Sequence, residues 1–332
     1  MNHPRSGGRT LYPYWVALAT VIASTALAPC AAMAQSQDNL QQARSEFSNA
    51  LQTQGYPAFL AYVVGLGNDV AVAGGTMHLR DEIPIDLGVS GLSVPFDITF
   101  PTSRWAITLT PIVGRVTTDF ETELDLDTSQ LDISSHYRVL SVGLGFGPTY
   151  IRNAFKTSFL LQFAISHVKN TASFAGPEAE GFDALTRGIM FNFSNFNLGY
   201  GFSVPFTRRF ITRWITLTPM LRYDARITRA FDGNEAVQHT GSLTHWSTMR
   251  LDMFGPAGKI KSWPLRWISN NAYRRNFGAI RTSLGLKDIY AWVLGFGLST
   301  PGIPLITELR ATGGMFVGRD LRGWTVSAAA SF

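Results

Sequence analysis

The chain is poor in several residue types that exported or enzymatic domains rely on. It has one cysteine, Cys30, so an internal disulfide is excluded, and a mature chain starting after Ala34 has no thiol chemistry. Charged residues are 15% of the total, well below the roughly 25% of ordinary soluble domains. The formal net charge is +5, and loss of Arg5 and Arg9 would leave 26 basic side chains against 23 acidic ones. That imbalance is too small to point to nucleic acid. After Leu27 there is no uncharged apolar run long enough to cross a bilayer as a helix. No Walker loop or G-x-G-x-x-G fingerprint stands between a strand and a helix, and no two histidines have metal-ligand spacing. The sequence therefore implies no nucleotide, no cofactor and no metal.

What it does have is alternation. Trp324, Val326, Ala328, Ala330 and Phe332 fall on one face of a C-terminal segment, with Gly323, Thr325, Ser327, Ala329 and Ser331 on the other. Period-2 patterning over ten residues marks a strand with one apolar face. The same pattern recurs from Ile215 to Thr228, Phe155 to Ser166 and Tyr290 to Ser299. Each stretch is near the roughly 9–11 residues that a tilted strand needs to cross the hydrocarbon core. Little charge, 31 glycines, 12% aromatics and no spanning helix suit a membrane β-barrel.

The N-terminus reads as an export leader. Arg5 and Arg9 precede the apolar stretch Tyr14 to Leu27, and Ala32-Met33-Ala34 is an A-x-A site that predicts cleavage before Gln35. Segment 35–69 reads as a helix and linker. Leu40, Ala43, Phe47, Ala50 and Leu51 form a stripe within Ser36–Gln54, and Gly55 can stop the helix. At about 28 Å it is long enough to thread a barrel as a plug; a periplasmic helix or a flexible leader is the alternative.

Segment 70–332 reads as the barrel. Gly91-Leu92-Ser93-Val94-Pro95-Phe96 leading to Arg104-Trp105 repeats as Gly201-Phe202-Ser203-Val204-Pro205-Phe206 leading to Arg213-Trp214, with a fainter copy before Pro301. Proline cannot join a central ladder, so each S-x-P is expected to be a turn on the periplasmic side. The expected strands are Val70–Leu79, Asp86–Phe96, Arg104–Thr117, His136–Gly147, Phe155–His167, Gly188–Ser203, Ile211–Thr228, Gly241–Phe254, Tyr273–Gly285, Ile289–Leu298, Pro304–Phe316 and Gly323–Phe332. Twelve is an even number, as a single-chain barrel requires. Acidic Thr118 to Ser135 and Gly/Glu-rich Val168 to Arg187 are then external loops. Gly255 to Asn271, with Lys259, Lys261, Arg266, Trp263 and Trp267, is an unusually long periplasmic connection.

A leader, a short helix before the barrel, about twelve strands and a terminal segment from Arg322 to Phe332 together resemble the solitary outer-membrane autotransporter-like barrels. The resemblance covers Gln35 to the end. It implies a Gram-negative outer-membrane location, lipid and lipopolysaccharide as surroundings, and the barrel-assembly machinery as reader of Gly323, Trp324, Val326 and Phe332. One departure is Ala330, where that signal often has an aromatic. Segment 35–69 is too short for the folded passenger that ordinary autotransporters export.

Chemistry is sparse. His245-Trp246-Ser247 puts His and Ser on one strand face, and an adjacent His can activate a serine hydroxyl. Outer-membrane phospholipases carry such a pair, so a barrel enzyme acting on lipid is one alternative; the main expectation is that the chain is not an enzyme. Arg222, Asp224, Arg226, Arg250, Asp252, Arg281, Glu308 and Arg310 alternate with apolar neighbours and are expected to face the lumen. They read either as a paired network that holds the barrel shut or as the lining of a small anion-preferring porin. The expected role is thus structural, surface-interacting or pore-forming.

Overall fold

The computed structural model describes residues 41–42, 44–45, 74–79, 83–93, 95–126, 129–232, 241–278, 280–281, 286–301, 307–319 and 321–331. The expected leader, Phe332 and nearly all of segment 35–69 lie outside these. The strands are β1 (Gly74–Leu79), β2 (Ile83–Ser93), β3 (Phe96–Thr99), β4 (Trp105–Leu126), β5 (Ser129–Arg152), β6 (Phe155–Ser158), β7 (Leu160–Ala175), β8 (Ser194–Arg208), β9 (Phe210–Ile211), β10 (Thr216–Asp232), β11 (Gly241–Ile260), β12 (Trp263–Gly278), β13 (Asp288–Ser299), β14 (Glu308–Gly318) and β15 (Leu321–Ser331). Helix α1 (Ala179–Thr186) lies between β7 and β8.

All neighbours in the sheet pair antiparallel, and β1 pairs with β15 from Gly74↔Trp324 to Met77↔Leu321, which closes the sheet on itself. β2 with β3, β6 with β7, and β8 with β9 are each one stave with a short break. Among the described residues the barrel therefore has twelve staves.

The breaks correct the reading of S-x-P as a turn. Pro95 and Pro205 lie within staves, and the turns come later, at residues 100–104 and 212–215. The register on either side of each break is unchanged. Ser93↔Ile112 and Phe96↔Leu109 place Pro95 opposite Thr110. Likewise Pro148 lies opposite Phe159, and Pro205 opposite Ser158. Proline has no N–H to give the ladder, so the pairing lapses for a residue or two and resumes in phase.

Three other expected loops are also strand. The Gly255–Asn271 connection is a hairpin whose two strands meet at the two-residue turn Lys261–Ser262, with Lys261 at φ 55°. The acidic Thr118–Ser135 segment continues β4 and β5 as far as Leu126 and Ser129. β5 runs for 24 residues, far more than a crossing needs, so this hairpin stands clear of the apolar band. Val168–Arg187 prolongs β7 to Ala175 and then forms α1, and Gly188 precedes the next strand, which begins at Ser194.

The faces separate by chemistry. Outside, Phe163, Ile165, Val142, Leu294, Phe296, Trp292 and Trp324 are exposed. Inside, Ser141, Ser166, Gln162, Thr149, Asp224 and Asn276 are buried. The outer face carries large exposed apolar side chains while many polar ones are packed within, the reverse of a soluble fold.

Candidate functional site: the lumen wall and its capped mouth

Residues two apart on a strand share a face, and the lumen wall uses this spacing to neutralise itself. On β10, Arg222 donates to Asp224 from Nε (2.9 Å) and Nη2 (2.7 Å), and its Nε also donates to Ser203 Oγ at 3.0 Å. Asp224 is 1% exposed. On β11, Arg250 pairs with Asp252 at 2.8 Å. On β14, Arg310 donates to Glu308 Oε2 from Nε (3.0 Å) and Nη2 (2.7 Å), while Arg266 of β12 reaches Oε1 at 3.2 Å. Gly297 makes room for that carboxylate: a Cβ there would lie 2.3 Å from Glu308 Oε1. Each of the three acids expected to face the lumen is thus held by an arginine of its own strand.

Arg226, 4% exposed, donates to Gln162 Oε1 at 2.9 Å. Its guanidinium lies 5.7 Å from the ring of Trp246, and Arg274 lies 4.2 Å from the same ring. Two cations against one buried indole are favourable contacts in a desolvated site. Arg274 also donates to Asn276 Oδ1 at 3.1 Å.

Arg281 is a correction. It was expected on a strand reaching Gly285, but β12 ends at Gly278, whose φ of +63° turns the chain. Arg281 is exposed in the following connection, beyond the end of β12. Arg266 and Arg274 take part instead. The signal for Arg274 was present, because Arg274 and Asn276 alternate with Tyr273, Arg275 and Phe277. Arg266 was hidden by the assignment of its segment to a loop.

The His and Ser of the H-x-S motif face outward from the wall. Trp246 points inward and is buried, while His245 and Ser247 share the outward face with the exposed Leu243 and Met249. His245 Nδ1 meets the Tyr223 hydroxyl at 3.1 Å, and its ring stacks on Phe277. The imidazole is engaged by Tyr223. Among the described residues no three His, Cys, Asp or Glu side chains converge as a metal site.

At the terminal strand, Trp324 and Val326 project outward and Thr325 inward. Gly323 pairs with Phe316 of β14 and Gly75 of β1. Phe332 lies outside the described residues.

Near the turn-rich end, inward hydroxyls link neighbouring staves. Thr108 donates to Asp97 Oδ1 at 2.6 Å and contacts Thr149 at 2.5 Å, and Thr149 contacts Ser158 at 2.7 Å. Lys156 pairs with Asp97.

At the opposite end the chain folds inward over the mouth. Leu131 and Ile133 continue the inward face of β5 and pack with Phe182 of α1 and with Phe191, with Phe120 and Phe174 alongside. Tyr137 donates its hydroxyl to Met190 O at 3.2 Å. Asn170 is the anchor of this cap. Its Nδ2 donates to Ser135 Oγ at 2.8 Å, and its Oδ1 accepts the Asn192 N–H at 2.9 Å. Asn192, at φ 53°, accepts the Ala172 N–H at 2.8 Å and donates to Asp183 Oδ1 at 3.1 Å. The hydrogen bond and charge of Asp183 raise the pKa of Arg187.

The N-terminal segment reaches this cap. Residues 41–42 and 44–45 are helical. Arg44 donates from Nη1 to Ala184 O at 2.5 Å and from Nη2 to Arg187 O at 2.7 Å. Carbonyls at a helix C-terminus lack partners within the helix and carry partial negative charge, so a guanidinium is a fitting cap.

No protein-family model matches the sequence, and no curated protein matches it. Solved structures do. The translocator domain of the autotransporter NalP from Neisseria meningitidis aligns over 83% of this chain and 95% of its own, with 11% identity and a TM-score of 0.52. The beta domain of the Bordetella autotransporter BrkA aligns over 77% and 94% (10% identity, TM-score 0.48). The transport unit of AIDA-I from Escherichia coli aligns over 85% and 99% (9% identity, TM-score 0.47). The likeness to the NalP domain establishes an autotransporter-type barrel fold.

Proposed function

We propose that the chain is an integral outer-membrane barrel of the solitary autotransporter type, closed to solute and serving a structural or surface-interaction role. The observation that carries this reading is the inverted burial of a closed twelve-stave sheet. Phe163, Ile165, Leu294 and Phe296 lie outside, while Asp224, Arg226 and Glu308 are buried within. In water such an outer face is a liability; in lipid it is the required one. Tight turns at one end and the long β4–β5 hairpin at the other orient it, with the turns toward the periplasm. Closure is supported by the strand-internal ion pairs and the inward cap. Arg44 at the cap supports an N-terminal helix that enters from the outer mouth. The outward His245 and Ser247 lend no support to hydrolysis.

The test is fractionation. The mature protein is expected with the outer membrane and to migrate faster in SDS before heating than after. Recovery as soluble periplasmic protein, with no heat-dependent mobility, would sink the reading.

A further inference from the structure

Three cations stand together on the outer wall where its apolar band ends. Arg138 of β5 and Lys169 of β7 are directly opposite each other. Arg115 of β4 is opposite Leu140, two residues along the same face from Arg138. All three are exposed. Like charges placed opposite across a ladder are unfavourable, and among the described residues no carboxylate is paired with any of the three. The next acid above them, Asp119, is engaged by His136. Immediately below lie exposed Val113, Val142 and Ile165, on the same three staves.

We propose that Arg115, Arg138 and Lys169 bind the phosphorylated sugar headgroup of lipopolysaccharide, with its acyl chains lying along the Val113–Val142–Ile165 strip. This deepens the preceding proposal, since it rests on the outer-membrane location and on this end facing outward. Adjacent staves are about 4.8 Å apart, so the cations span roughly 10 Å. A headgroup with phosphates on two linked sugars can meet all of them. A phospholipid with one phosphate meets one or two. Arginine supplies paired donors to phosphate oxygens, and lysine a point charge. The apolar strip below holds the ligand against the wall, which a soluble anion would not exploit.

The test uses the full mature protein, purified in detergent. Binding is measured separately with purified lipopolysaccharide, with phosphatidylglycerol and with inorganic phosphate, by co-purification and by the shift in unfolding temperature. Lipopolysaccharide is expected to bind best and to stabilise. The R115A/R138A/K169A variant is expected to weaken that binding on the order of 100-fold, since each cation near a charged headgroup contributes about a factor of five. The R208A/R209A/R213A variant, altered at the turn-rich end, is expected to keep it. Unchanged affinity in the first variant, equal loss in the second, or equal stabilisation by phosphatidylglycerol or phosphate would overturn the proposal. If the triple variant does not assemble, R138Q and K169Q carry the test, each expected to weaken binding about five-fold. Heat-dependent mobility of the wild-type sample separates the two readings. A folded barrel that ignores lipopolysaccharide sinks this proposal alone, whereas a sample with no heat-shifted form sinks the membrane reading itself.

Discussion

Asn170 and Asn192 each hold the other's segment. Asn170 Oδ1 accepts the backbone N–H of Asn192 at 2.9 Å, and Asn192 Oδ1 accepts the N–H of Ala172 at 2.8 Å. The pair pins the returning limb of the cap to the inner wall of β7. Asn170→Ala strands the Asn192 N–H and frees Ser135, at a cost of about 1–3 kcal/mol. Trypsin added to intact cells is expected to cut after Arg187 at least several-fold faster in this variant. An unchanged cleavage rate would show that the aromatic contacts around Phe182 hold the cap without the asparagines.

The lumen pair Arg222–Asp224 predicts a sign of coupling. Asp224 is almost fully buried, so Arg222→Ala leaves an uncompensated carboxylate, a loss of about 3–5 kcal/mol for a buried pair. Removing both groups with Asp224→Ala is expected to restore much of that loss. Urea unfolding of the barrel from lipid vesicles measures it. A double variant less stable than Arg222→Ala would mean that Asp224 is held by something other than its arginine.

Leu294 and Val293 are neighbours on β13 that point to opposite sides of the wall. Leu294→Arg places a charge in the middle of the apolar band, at a cost of about 2–4 kcal/mol. Val293→Arg points inward, beside Asn270 and Gly314 in register, and is expected to be much milder. The same unfolding measurement, made on both, reports the register. Equal losses, or the reverse order, would contradict it.

The faces of this barrel were legible in the sequence because a strand alternates its side chains with a period of two. Phe159, Leu161, Phe163 and Ile165 alternate with Leu160, Gln162, Ala164 and Ser166, and they are exposed in the fold. The signal faded where strands leave the apolar band. Asp119, Glu121 and Glu123 face water outside, so the β4–β5 hairpin loses its apolar stripe and reads as an acidic loop. Basic residues near the Lys261–Ser262 turn hid the β11–β12 hairpin in the same way. Proline misled for a different reason. At Pro95 and Pro205 neighbouring staves bridge a local loss of donors, so a residue that usually marks a turn marks only a pause. Helix α1 was missed because eight residues give barely two turns of periodicity, and Phe182 and Leu185 mean little until Leu131 and Phe191 are brought beside them. Alternation set Arg222, Asp224, Arg250, Asp252, Glu308 and Arg310 on their strand faces, misplaced Arg281, and could not name which charge meets which across strands. Spacing puts Arg310 and Glu308 on one face, whereas the arrival of Arg266 from β12 depends on the register between strands.

Closure is the central claim, and planar-bilayer conductance tests it most directly. The intact mature protein is expected to show no sustained single-channel steps. Removing residues 35–54 and substituting Asn170 and Asn192 with alanine together is expected to release the mouth and give resolvable openings. Steady large-conductance channels from the intact protein would contradict the account, and would make the arginine-rich wall the lining of an open, anion-preferring pore.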